Sequence, residues 1–141
     1  MAKDLDRLWE DVPCFLMGDF NALRRSDYGE DAWAALAQGR AEAGVADTES
    51  TLTDEIAQRL VDCRHAADAQ LGSVTTSIHN CRIDYIWASK AALRAWRVTE
   101  CAHAWLTARA GREEAVEVEE GNLLTDHALV VCSLERRAPV A

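Results

Sequence analysis

The sequence predicts an α/β fold, and three observations predict it. Cys14 to Met17 is an uninterrupted apolar run of strand length. Arg82 to Ala88 alternates with period two, and around both stretches apolar residues recur at helical spacing. A chain of 141 residues is long enough for one domain with a real core and too short for two large ones.

Taken in order, Leu5, Leu8, Trp9 and Val12 have helical spacing over residues 3–11, and Pro13 stops that helix. Cys14–Met17 then reads as a strand buried on both faces. Gly18 marks a bend or a close approach of another group. Asp19 and Asn21 stand two apart, so an extended backbone points both side chains the same way. A carboxylate and an amide at the end of a buried strand serve no packing purpose, although both residue types also favour turns. Ser26 or Asp27 can cap a helix with Glu30 and Asp31 in its first turn. Ala32, Trp33, Leu36, Ala37 and Arg40 form its stripe, and Gly44 is its stop.

Thr53 caps a second helix through Ile56, Ala57 and Leu60. Val61 to Cys63 is ambiguous, residues 64–70 can continue helically, and 71–81 read as loop or edge strand. In the strand Arg82–Ala88, Ile83, Tyr85 and Trp87 share one face, with Asp84, Ile86 and Ala88 on the other. Ser89 caps a short helix to Trp96, Arg97–Cys101 is a strand, and Ala128–Leu134 is the last one, followed by a tail expected to fray after Glu135. Glu113, Glu114, Glu117, Glu119 and Glu120 read as a solvated acidic run, and the five tryptophans read as core.

Composition narrows the function classes. No apolar run approaches membrane-spanning length, and the N-terminus alternates charges where a signal peptide would need a basic region and an apolar block. The expectation is an intracellular chain with no membrane partner. A formal net charge of −9 opposes unaided attraction to nucleic acid, without excluding a local basic site. Arg24 and Arg25 are the nearest cations to the Asp19 stretch and weak candidates for phosphate contact, solvated surface being the simpler reading. Five widely spaced cysteines with no CxxC pair argue for reduced thiols over zinc ligands or a disulfide framework. His65, His79 and His103 attract no role.

Three stretches stand out: Gly18-Asp19-Phe20-Asn21-Ala22, Arg82-Ile83-Asp84-Tyr85-Ile86 and Thr125-Asp126-His127-Ala128-Leu129-Val130. In this order they resemble the motifs of the endonuclease/exonuclease/phosphatase superfamily, with Thr125 where the family has serine, a change that keeps the hydroxyl. The resemblance implies a four-layer α/β sandwich, two sheets face to face with helices outside. Residues 1–141 match only the C-terminal half of that domain, so one mostly antiparallel, twisted sheet with helices on one face is expected. The other face should expose apolar side chains for a second copy or a partner protein to cover.

The resemblance further implies phosphoester hydrolysis by in-line attack of water, with magnesium as cofactor and manganese as the alternative. On that pattern Asp19 orients or deprotonates the water and Asn21 holds a phosphate oxygen. His127 donates to the phosphoryl oxygens, Asp84 fixes its tautomer and raises its pKa, and Asp126 belongs to the metal side. The family's principal metal-binding glutamate lies in its N-terminal half, and nothing before Met17 matches it. The expectation is therefore a truncated hydrolase, weakly active or inactive alone. The alternative is a non-catalytic relative or subunit that binds phosphate or a partner protein. The substrate stays open among DNA, RNA, a lipid headgroup and a small phosphoester.

Overall fold

A strand with two apolar faces needs a layer on each side, and the strand that begins at Asp84 has both. The computed structural model describes residues 9–44, 48–67, 75–77, 79, 81–105 and 126–138. In chain order these form β1 (Phe15–Asp19), a 3-10 turn (Arg25–Asp27), α1 (Glu30–Glu42), α2 (Thr51–Ala57), β2 (Leu60–Asp62), α3 (Cys63–Ala66), β3 (Asp84–Ser89), α4 (Lys90–Ala95), β4 (Trp96–Ala104) and β5 (Leu129–Arg136). Strand β3 lies between β1 and β2 and is antiparallel to both. Strands β4 and β5 make a second antiparallel sheet, irregular between Val98 and Glu100.

The alternation along β3 sets the layers. Tyr85 and Trp87 pack with Leu60, and Trp9, Leu16, Phe20 and Ile56 close around them. Tyr85 and Trp87 stack at 5.4 Å, and Phe20 meets Tyr85 edge-on at 5.8 Å. Ile86 and Ala88 face the other way and join Cys63, Ala92, Val98 and Cys101 in a core shared by both sheets. A third cluster of Leu23, Cys81 and Ile83 receives Tyr28, Trp33 and Leu36, which seats α1. Burying each such large side chain stabilises the fold by about 1.5–3 kcal/mol. All five cysteines are free thiols. Among the described residues no helix is long and apolar enough to cross a membrane.

The class is α/β, as the sequence implies, but the expected single sheet is two. Six residues of α4 turn the chain over after β3, and β4 then pairs along its length with β5 rather than rejoining the first sheet. The second face of β3 is therefore covered, not open. Apolar exposure falls instead on Met17 of β1 and on Leu129, Val131 and Leu134 of β5. Nor is β1 buried on both faces. It is an edge strand, and Met17 is 64 % exposed.

Capping differs in detail. The cap of α1 is Gly29, because Ser26 and Asp27 are taken up by the 3-10 turn. Ser50 precedes α2, and Thr53 is buried inside that helix with its one hydroxyl proton shared between the carbonyls of Leu23 and Ser50. Ser89 caps α4 as expected, accepting from the Ala92 N–H, and Gly44 ends α1's chain segment with φ +67°. The tail is held further than expected: β5 runs to Arg136, and the Arg137 N–H donates to the Ala95 carbonyl at 2.9 Å.

One polar cluster is sealed inside. Arg82, with no exposed side-chain surface, donates to both oxygens of Asp62 at 2.6 and 2.9 Å and to Asp27 at 2.9 Å. Arg24 adds a bond to Asp62 at 3.0 Å. Burial alone would raise the Asp62 carboxyl, but the Arg82 hydrogen bonds and charge outweigh it and hold its pKa below the usual range. Removing one partner of such a group strands the other charge. Arg82→Met should therefore cost about 3–5 kcal/mol, read by chemical denaturation. The Asp62 contribution should be complete above about pH 4, the unfolded carboxylate value, and fade as pH falls through its lower folded value.

Candidate functional site

At the end of β1 the backbone leaves the strand through Gly18, whose φ of +149° suits a residue without a side chain. Asp19 then stands directly opposite Asp84 in the β1–β3 register. Like charges facing each other across adjacent strands destabilise the pair unless donors or a cation answer them. Asn21 answers Asp19. It takes φ +48°, a left-handed conformation asparagine tolerates, donates its N–H to Asp19 Oδ1 at 2.8 Å and its amide Nδ2 to Oδ2 at 3.1 Å. The backbone is thus not extended through Asn21; a closed turn, not strand alternation, puts the amide beside the carboxylate.

His127 answers Asp84. Its Nδ1 lies 3.0 Å from Asp84 Oδ2, so Nδ1–H donates to the carboxylate. The segment carrying it is docked by a β-bridge between Ser77 and His127. The hydrogen bond to Asp84 is the main cause that raises the His127 pKa. Slight burial opposes it, and the charges of Asp84, Asp19 and Asp126 add to it. Ligand atoms of Asp19, Asp84 and His127 all lie within 4.8 Å of one another. Asp126 is exposed at the bend just before the histidine. Beside Asn21 lies a cavity of about 820 Å³, with Tyr28, Leu36, Arg40, Ser77 and Ile83 in its walls. That is room for a small-molecule-sized group.

The two arginines are placed elsewhere. Arg24 is spent on Asp62 and lies 5.2 Å over the Trp87 ring. Arg25 donates to the Tyr28 carbonyl at 2.7 Å and to Glu30, over the Trp33 ring at 5.1 Å. Each guanidinium pairs with a nearby carboxylate, Arg24 with Asp62 and Arg25 with Glu30. Thr125 and the glutamates of 113–120 lie outside the described residues.

Sequence reasoning missed a second group. Asp27, Asp62 and His65 also bring ligand atoms within 4.8 Å of one another, with His65 3.4 Å from Asp27. Here the cationic positions are already filled by Arg82 and Arg24, so the group is an internal ion-pair network rather than a metal site. Only Arg82's place in the second motif hinted at it. His103 is held neutral, its pKa lowered to about 4 by burial and then by the charges of Arg82 and Arg64.

A protein-family model described as the endonuclease/exonuclease/phosphatase family matches residues 1–127. No curated protein and no solved structure matches the chain.

The Asp84–His127 contact predicts a measurable titration. By NMR the His127 pKa should lie above the ordinary histidine value of about 6.5 and fall toward it in Asp84→Asn. Because the shift is upward, the stabilisation it brings is complete below the unfolded value and disappears as pH rises through the folded one. An Asp84→Asn variant with an unchanged His127 pKa would contradict the contact.

Proposed function

Because this chain belongs to the endonuclease/exonuclease/phosphatase family, we propose that it is a metal-dependent phosphoester hydrolase that directs a water molecule in line at phosphorus. One observation carries the reading: two carboxylates in direct register, Asp19 and Asp84, with an imidazole bonded to one of them. Such a pairing has no stabilising purpose in a sheet, but it is what a water and a phosphoryl group require on either side of them.

In this reading Asp19 orients or deprotonates the attacking water. Asn21 uses one Nδ2 hydrogen on Asp19 and can offer the other to a phosphate oxygen. His127, hydrogen-bonded to Asp84, which raises its pKa, stabilises negative charge as it builds on the phosphoryl oxygens. The cavity beside Asn21 gives the non-reacting part of the ester a place. Asp19, Asp84 and His127 offer ligand atoms within 4.8 Å of one another, and a hard cation such as magnesium takes one or two carboxylates plus waters. Asp19 would hold the ion, with Asp126, exposed next to His127, on the metal side. When bound, magnesium, or manganese in its place, supplies Lewis-acid neutralisation of the phosphoryl oxygens.

The test is turnover of bis(p-nitrophenyl) phosphate by the full chain with and without magnesium. Slow, magnesium-dependent release of nitrophenolate is expected, lost by about 10²-fold or more in Asp19→Ala and in His127→Ala. Turnover that survives Asp19→Ala would overturn the mechanism. Inorganic phosphate bound with no turnover would make the chain a phosphate-binding relative instead.

A further inference from the structure

We propose that Thr76 is the positioning residue that holds Asp84 and His127 in register with each other. These two side chains are 43 residues apart and belong to strands of different sheets: Asp84 opens β3, and His127 lies just before β5. Among the described residues no strand ladder joins β3 to β5, so main-chain pairing between those two strands does not set the pair's alignment.

Thr76 is completely buried. Its hydroxyl oxygen accepts two backbone N–H groups at once, from Ile83 at 3.0 Å and from Asp84 at 3.1 Å. Its own N–H donates to the Cys81 carbonyl at 3.0 Å, and its carbonyl accepts the Ala128 N–H at 2.7 Å. Its neighbour Ser77 forms the bridge to His127. One residue thus grips the first residues of β3 through its side chain and the residue after His127 through its main chain. It touches neither reacting group, so its effect passes through Asp84 and His127.

The chemistry requires a hydroxyl. An oxygen with two lone pairs can satisfy two N–H donors, whereas valine has the same outline and no acceptor, leaving both donors buried and unmatched. Serine keeps the oxygen. The inference rests on Asp84 and His127 as the working pair of the proposed hydrolase, but its test needs no turnover and can fail while that reading stands.

The readout is the tautomer of His127, taken from imidazole ¹⁵N shifts at a pH high enough for the ring to be neutral. In the full chain the Nδ1–H form should predominate, because Asp84 accepts from that nitrogen. Thr76→Val should lose that predominance, and Thr76→Ser should restore it. A folded Thr76→Val protein with the wild-type tautomer would overturn the proposal. Should Thr76→Val not fold, hydrogen exchange of the unaltered chain decides. The amides of Ile83, Asp84 and Ala128 should then exchange together at one slow rate, and an Ala128 amide exchanging at least tenfold faster than Asp84 would overturn it.

Discussion

A guanidinium sealed in with two carboxylates sets the position of everything that matters here. Arg82 lies two residues before Asp84, at the point where the chain enters the central strand. Its side chain is clamped to Asp62 at the end of β2 and to Asp27 in the 3-10 turn, and its guanidinium lies 4.3 Å over the Tyr85 ring. Its backbone is clamped as well. The Arg82 N–H donates to the Tyr28 hydroxyl at 2.9 Å, and its carbonyl accepts from the Tyr85 hydroxyl at 3.0 Å. Taking these charges out of water is costly, and only near-complete mutual satisfaction offsets it. The return is geometric: three segments distant in sequence meet where the chain enters β3, two residues before Asp84.

Two clusters of acids and a histidine share the same compactness, yet their charge balance separates them. In the inner cluster, two guanidiniums of Arg24 and Arg82 stand against two carboxylates of Asp27 and Asp62, and the account closes within the protein. In the outer cluster, among the described residues, Asp19 and Asp84 gather with the imidazole of His127, and Asp126 adds its negative charge nearby. Of these charges, Asp19 at the end of β1 and Asp126 are exposed to water. A balanced, buried group holds structure together. An unbalanced one with exposed carboxylates offers groups that could hold a metal ion.

Much of this was legible in the residues. The period-two alternation of Ile83 to Ala88 put Tyr85 and Trp87 on one face and Ile86 and Ala88 on the other, and the cores form on those faces. Ser89 and Gly44 act where short-range chemistry places them. The three motifs marked Asp19, Asn21, Asp84, Asp126 and His127, and the structure brings Asp19, Asn21, Asp84 and His127 to one locality. What could not be read was who partners whom. Arg24 and Arg25 read as solvated surface or weak phosphate candidates, and only the fold pairs them with Asp62 and Glu30; Thr76 reads as loop or edge strand until its hydroxyl is seen under β3.

By itself, then, the amino-acid sequence determined the faces of the strands, the ends of the helices and the kinds of side chain available for chemistry. Those depend on backbone periodicity and on contacts within a few residues, which local rules govern. Tertiary structure alone decided that the strands divide into two sheets, that β1 lies at an edge and that one arginine turns inward while a histidine meets an aspartate. An alternating strand can pair with any neighbour of suitable length, and a charged side chain bonds to whichever opposite charge the fold brings near. Both outcomes are set by long-range packing and desolvation, quantities that no stretch of chain carries on its own.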